Sequence, residues 1–167
     1  MNIVLCGMMG AGKTSVGQAL ARLSGRRAVD TDALIEEKYG KITDIFAAHG
    51  EAYFRDLETE TARALSAWND LVIATGGGFV LRQENCDLLK KKGKIFFLRA
   101  RLETLLARVA GDASRPLLAG GAEKKLRELL PVRTPVYERA ADCIVDTDGR
   151  DVDDIAREIL SRLSGIF

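Results

Sequence analysis

Histidine and tryptophan occur once each, and proline and cysteine three times each, in 167 residues. Cys6, Cys86 and Cys143 are odd in number, far apart and mostly set among apolar neighbours. That spacing suits neither a disulfide framework nor a zinc site, so they read as small core residues. His49, beside Gly50 at a break in a helical pattern, reads as a surface or capping residue. No apolar run approaches the roughly 20 residues a membrane span needs, and the N-terminus enters a strand pattern instead of a signal-peptide pattern. A cytoplasmic protein with no membrane partner is expected. Neither sign of charge dominates, since 25 basic residues face 24 acidic ones for a net charge of +1. Nucleic acid held by bulk electrostatics needs a lopsided basic field, so no such partner is expected. Repeats, linkers and low-complexity tracts are missing too, and no long exposed apolar stripe asks for a partner subunit. The expected organisation is a monomer with one domain over residues 1–167, long enough to bury its own core.

The chain does carry Gly7-Met8-Met9-Gly10-Ala11-Gly12-Lys13-Thr14, placed between an apolar run, Ile3 to Cys6, and a helical pattern that continues from Ser15. This fits G-x-x-x-x-G-K-[ST], the phosphate-binding loop. A loop curled around a phosphate turns successive backbone N–H groups inward, which needs residues without a Cβ where the chain bends or touches the anion. The following helix adds the positive end of its dipole, Lys13 reaches the β- and γ-phosphates, and the Thr14 hydroxyl suits Mg²⁺. Gly10, Ala11, Gly12, Lys13, Thr14 and Ser15 are therefore the candidate ATP-binding residues.

Short β-like runs alternate with longer helical patterns, as in parallel βα units with helices on both faces of a sheet. Strands are expected at 2–6, 27–30, 71–74, 94–98 and 142–145. Helices are expected at 13–23, 33–39, 43–68 with an interruption near His49-Gly50, 82–92, 102–109, 123–140 and 152–163. In the last of these, Val152, Ile155, Ile159, Leu160 and Leu163 recur at helical spacing, so that face should pack on the sheet. The fold class is α/β, three layers around a five-stranded parallel sheet. Residues 111–121, with glycines, Pro116 and charges, are the candidate mobile lid.

Ligands of an open parallel sheet sit beyond the carboxyl ends of its strands. The second strand ends in Asp30-Thr31-Asp32. Asp30 is the candidate for holding the magnesium waters, and Asp32 can accept a hydrogen bond from an acceptor hydroxyl. The alternative is that both merely cap a helix starting near Ala33; capping needs only one carboxylate, which favours function. The third strand ends in Gly76-Gly77-Gly78, costly in backbone entropy, to be explained by close approach of a ligand or by a loose turn. Arg55 and Arg133 would by themselves pass for surface arginines. Arg115, ahead of Pro116, is as suited to a solvated surface as to swinging onto transferring phosphates. The second Asp-Thr-Asp, at 146–148, reads as a turn and helix lead-in, with Arg150 a candidate for touching a nucleobase.

Taken in order, these stretches resemble the shikimate kinases, within the nucleoside-monophosphate-kinase-like group of phosphate-loop folds. The likeness runs from Ile3 to about Leu163 through residues 7–14, Asp-Thr-Asp with Leu34-Ile35-Glu36, Ile45-Phe46 with Gly50-Glu51 and Phe54-Arg55, the glycine triplet, Arg115-Pro116-Leu117-Leu118, and Arg133 with Pro135 and Tyr137. The resemblance implies transfer of the γ-phosphoryl group of MgATP to the 3-hydroxyl of shikimate, on the route to chorismate and aromatic amino acids. It further implies an acceptor-binding segment at about 31–60. Asp32 would meet the shikimate hydroxyls, Arg55 and Arg133 its carboxylate, and the backbone of the glycine triplet, chiefly Gly77 and Gly78, its ring hydroxyls. Phe46 and Phe54 would wall the pocket, Arg108 and Arg150 would sandwich or edge the adenine, and Arg115 would be the lid arginine on the phosphates. Glu58, one turn past Arg55, is placed to hold that guanidinium. The chain departs from the pattern at Ala28-Val29, where an aromatic is frequent, and at Gln18, where a basic residue is. A gluconate-type or nucleoside-monophosphate kinase is the nearest alternative, and a nucleotide-dependent switch a more remote one.

Overall fold

The computed structural model describes residues 1–110 and 121–166. Five strands, β1 (Asn2–Cys6), β2 (Arg27–Asp30), β3 (Leu71–Ala74), β4 (Gly93–Arg99) and β5 (Cys143–Asp146), pair in parallel in the order β2-β3-β1-β4-β5. β1 is central, with Val4 level with Ile73 of β3 on one side and with Ile95 of β4 on the other. Buried on both faces, β1 after its leading Asn2 and β3 throughout read as apolar runs, as interior parallel strands do. The chain leaves β1 toward β3 and β2, then returns across it to lay down β4 and β5. That reversal opens a crevice at the carboxyl end of β1, where ligands of such sheets bind.

Helices α1 (Lys13–Ser24), α2 (Thr31–Tyr39), α3 (Ile42–His49), α4 (Glu51–Leu65), α5 (Gln83–Lys90), α6 (Leu102–Ala110), α7 (Ala122–Ala140) and α8 (Val152–Ile166) cover the sheet. The expected three-layer α/β class is the one observed. The break near His49-Gly50 separates α3 from α4, because Gly50 has φ 85 and cannot continue a right-handed helix. His49 is exposed and its ring stacks on Tyr53 at 4.2 Å. Trp68, expected at a helix end, lies beyond α4 and is exposed. A 3₁₀ turn at Phe79–Leu81 precedes α5 and shortens that helix. β5 runs one residue later than expected, since the Asp142 carboxylate accepts the Ile95 N–H at 2.8 Å and takes Asp142 out of the strand.

The apolar face of α8, with Ile155, Ile159 and Leu163 buried, shares one core cluster with the strands, as expected, and its principal helical neighbour is α1, which itself lies on β1, β2 and β3. Cys6 and Cys86 are buried core residues, and Cys143 is half-buried. Ile35, Ile45, Phe54 and Leu57, from α2, α3 and α4, form a small core of their own beside the main one. No described helix is long and apolar enough to cross a membrane. The expected lid falls almost wholly on residues 111–120, outside the described residues, and Arg115 with it.

Candidate active site

The loop after β1 leads into α1 through Gly12, whose φ of 94 is left-handed. No side chain caps this helix and its first turn carries no acidic residue, so its leading N–H groups and dipole are available to an anion. Lys13 curls back across the loop and donates to the Gly7 carbonyl at 2.5 Å. Burial pushes the Lys13 ammonium down to about 8, against the opposing pull of Cys6, Asp32 and Asp30.

α2 begins the opposite way. It starts at Thr31, two residues earlier than expected, because the Asp30 carboxylate accepts the Ala33 N–H at 3.1 Å as an N-cap. One of the two aspartates is thus a cap, as the alternative reading held, and the other is not. Asp32 sits in the first turn of α2, and its carboxylate accepts no hydrogen bond among the described residues. Burial and the neighbouring Asp30 raise its carboxyl above the usual range, with Lys13 opposing. Lys13, Thr14, Asp30, Asp32 and Arg133 line one cavity of about 690 Å³ with the phosphate loop and the first two glycines of the triplet.

The triplet explains itself through its neighbours. A Cβ on Gly76 would run into the Asp32 carboxylate, with Cγ at 3.0 Å. On Gly77 it would lie 2.9 Å from Nη1 of Arg133, and on Gly78 2.6 Å from Cζ of Arg55. Each glycine therefore vacates the space that one functional side chain fills. None of the three has the left-handed φ that would call for glycine on conformational grounds, and Gly78 has φ −102. The expectation of Gly76 as a free backbone donor meets an obstacle, since its N–H already donates to the Thr31 hydroxyl at 2.9 Å. The Gly77 carbonyl accepts the Tyr137 hydroxyl at 2.6 Å.

Arg55 and Arg133 leave the surface for structural reasons. Nη1 of Arg55 donates to Oε1 of the buried Glu58 at 2.7 Å, and Nη2 to Glu51 at 3.1 Å. This pairing at i and i+3 is the one expected of Glu58. Burial lifts the Glu58 carboxyl to about 7, against the pull of Arg55. Its second oxygen, Oε2, is buried and has no hydrogen-bond partner among the described residues. Phe46 and Phe54 stand together at 5.0 Å, and the Arg55 guanidinium lies 5.5 Å from the Phe54 ring. Arg133 sits on α7 between Pro131 and Pro135, which both lack an N–H for the helix.

The nucleobase assignments fare differently. Arg108 lines the cavity, with Nη1 engaged by the carbonyls of Gly10 and Ala11 and the Thr147 hydroxyl, and Nη2 by the Thr147 carbonyl. Arg150 donates to the Asp146 carbonyl at 2.9 Å and pairs with Glu158 at 2.7 Å, apart from the residues lining the cavity. The second Asp-Thr-Asp is more than a turn. Asp146 makes a bidentate pair with Arg99, and Asp148 accepts from the Arg101 N–H and the Thr104 hydroxyl at the start of α6. Sequence reasoning gave no role to Thr31 or Thr147, whose only signal was a small hydroxyl between two aspartates in each case.

A phosphate loop at the centre of a five-stranded parallel sheet, sharing its cavity with Asp32 and Arg133 and with Arg55 beside the adjoining Gly78, defines a phosphate-loop kinase of the nucleoside-monophosphate-kinase-like class. A family model described as "Shikimate kinase" matches residues 9–164. The chain is 46% identical over 167 residues to the shikimate kinase of Symbiobacterium thermophilum, covering 98% of this chain and 96% of that one. It is 45% identical to that of Moorella thermoacetica, covering 97% and 94%. Among solved structures, shikimate kinase from Acinetobacter baumannii in complex with shikimate superposes with a TM-score of 0.88 at 41% identity, covering 99% of this chain and 93% of that one. A gluconokinase from Sinorhizobium meliloti, covering 99% and 92%, reaches 0.64 at 19% identity, a likeness of fold alone. The chain belongs to the shikimate kinase family.

Proposed function

We infer that the protein transfers the γ-phosphoryl group of MgATP to the 3-hydroxyl of shikimate, giving shikimate 3-phosphate and ADP. The observation that carries this is the glycine triplet, which seats Asp32, Arg133 and Arg55 against consecutive glycines, the first two of them lining the cavity of the phosphate loop. A small carboxylated polyol wants guanidinium on its carboxylate and a carboxylate or amide on its hydroxyls. Arg55 and Arg133 take the acceptor carboxylate, and Asp32 the hydroxyl that reacts. The hydroxyl oxygen bonds to the γ-phosphorus as the bridging bond to ADP breaks, and the hydroxyl proton passes to Asp32, whose raised carboxyl suits that role. Lys13 and the α1 N-terminus neutralise charge on the transferring group.

The described residues hold no cluster of three or more His, Cys, Asp or Glu for a metal of its own. Oxygen donors at Thr14 and Asp30 on the cavity wall instead fit Mg²⁺ that arrives with the nucleotide and keeps several waters. Bound there, Mg²⁺ supplies charge neutralisation on the β- and γ-phosphates. Gly77 and Gly78 keep their proposed amide contacts to ring hydroxyls, with Gly76 serving as space. Arg115 keeps the proposed lid role, and Arg150 would need to exchange its present partners to reach a base. A monomer in the cytoplasm remains our reading of its organisation, with size-exclusion chromatography as the check on the monomer.

A coupled ADP-release assay with shikimate, quinate and gluconate as rival acceptors tests the assignment. Saturable release that depends on shikimate is expected. Release without an acceptor would favour a nucleotide switch, and preference for gluconate would move the assignment to another kinase.

A further inference from the structure

Arg108 reaches from α6 into a cage made only of oxygen. Its Nη1 lies 3.2 Å from the Gly10 carbonyl, 3.2 Å from the Ala11 carbonyl and 3.2 Å from the Thr147 hydroxyl, while Nη2 donates to the Thr147 carbonyl at 2.9 Å. Thr147 is itself fixed, fully buried, with its N–H and hydroxyl donating to the Arg99 carbonyl at 2.9 and 3.1 Å. Asp148 holds the other end of α6 through the Arg101 N–H and the Thr104 hydroxyl. The guanidinium thus ties two consecutive peptides of the phosphate loop to an anchored strand end.

Those two peptides carry the loop's geometry. A trans peptide points its N–H opposite its carbonyl, so a fixed Gly10 carbonyl fixes the Ala11 N–H, which donates to the Met8 carbonyl at 3.1 Å and closes the turn. By the same rule, holding the Ala11 carbonyl on Arg108 turns the Gly12 N–H away from Arg108, just ahead of Lys13 and the open first turn of α1. Gly10 and Gly12 have φ of 81 and 94, left-handed conformations open to glycine without a Cβ penalty, so a contact from outside the loop can choose among those available to them. Arg108 makes the choice with charge-assisted hydrogen bonds spread across a rigid fork, which a single ammonium cannot reproduce.

We propose that Arg108 is a positioning residue of the phosphate loop, acting through the Gly10 and Ala11 carbonyls, and that it supports binding of the triphosphate whether or not a nucleobase is attached. The proposal rests on the reading that this loop holds the donor triphosphate. It does not depend on the identity of the acceptor.

Calorimetric titration of the full chain with Mg-tripolyphosphate and with MgATP, in the absence of any acceptor, tests it. Arg108→Ala is expected to weaken tripolyphosphate and ATP alike, by roughly tenfold or more for the loss of charge-assisted bonds. Arg108→Lys, which keeps the charge but not the fork, should restore little of this. If Arg108→Ala binds tripolyphosphate as the parent does, whether or not ATP binding falls, the proposal is overturned and the side chain serves at most the base. Full recovery with Arg108→Lys overturns it equally, because charge alone would then suffice. Should Arg108→Ala fail to fold, Thr147→Val removes one oxygen of the cage with Arg108 in place. A weakening of about threefold for both ligands is then expected, and unchanged binding of both would contradict the proposal.

Discussion

Gly12 and Gly78, one in each half of this site, are glycine for opposite reasons. Gly12, at the entrance to α1, has φ 94 and open space around it, the nearest atom to a built Cβ being 3.9 Å away. Only conformation excludes a side chain there. Gly78, at the end of the third-strand loop, has an ordinary φ of −102, yet a Cβ would land on the Arg55 guanidinium. Only volume excludes a side chain there. The donor half is therefore built from backbone, with N–H groups aimed by unusual dihedrals, and the acceptor half from side chains held in space that backbone has vacated. The two helix starts repeat the contrast: α1 is left uncapped for an anion, whereas α2 is capped by Asp30 and carries Asp32 in its first turn.

If the halves are separable in this way, substitutions should divide between them. Lys13→Ala strikes the donor half hardest. Turnover should fall by about 10³-fold or more, as when one preorganised donor to a transition-state charge is lost, while shikimate affinity by calorimetry stays close to that of the parent. A comparable loss of shikimate affinity would break the division.

Acidity should separate the halves next. With Lys13 lowered to about 8 by burial, the ammonium of the free protein loses its proton above that value. MgATP affinity should be level below pH 8 and fall by up to about tenfold per unit above it, the limit for one linked proton. A flat profile to pH 9.5 would contradict the charge assigned to Lys13. The stability contribution has the opposite slope. Because the folded value lies below the ordinary 10.5, the unfolded chain holds this proton more tightly, so the residue costs stability below about pH 8 and the cost fades as pH rises toward 10.5. Function, not folding, retains it.

Asp30 stands where the halves meet, and gives the smallest expected effect. Asn caps a helix about as well as Asp, so Asp30→Asn should leave the melting temperature nearly unchanged. If the carboxylate also helps hold Mg²⁺, the concentration of Mg²⁺ for half-maximal turnover should rise by about tenfold, as for loss of a supporting carboxylate. An unchanged Mg²⁺ dependence would leave Asp30 as a cap alone.

The same contrast decides what the sequence made legible. The donor half could be read because a loop around phosphate imposes its glycines at fixed spacing within eight residues, next to Lys13 and Thr14. The strand and helix alternation was equally local, and element ends moved by only a few residues where a cap such as Asp30 or a pairing such as Asp142 with Ile95 overrode the apolar pattern. The acceptor half was not legible from the residues alone. Gly76, Gly77 and Gly78 acquire their reason only when the fold brings Asp32, Arg133 and Arg55 against them, from three separate elements. Resemblance to a family could name those partners, but the reason for the triplet is steric and appears only in three dimensions. The partners of Arg108 were hidden for a similar cause, since nothing in its neighbourhood along the chain points to carbonyls at Gly10 and Ala11.

The most direct measurement is the binding of shikimate and of MgATP to Gly78→Ala, each titrated separately. The group that must move is the far end of a flexible side chain, so the protein should still fold, with a melting temperature lowered by disturbance of the ion pair between Arg55 and the buried Glu58. Displacement of Arg55 should cost the charged hydrogen bonds to the acceptor carboxylate, lowering shikimate affinity roughly 10- to 100-fold with MgATP affinity unchanged. Shikimate binding equal to that of the parent, in a folded Gly78→Ala protein, would contradict the claim that the triplet exists to make room for the acceptor's partners.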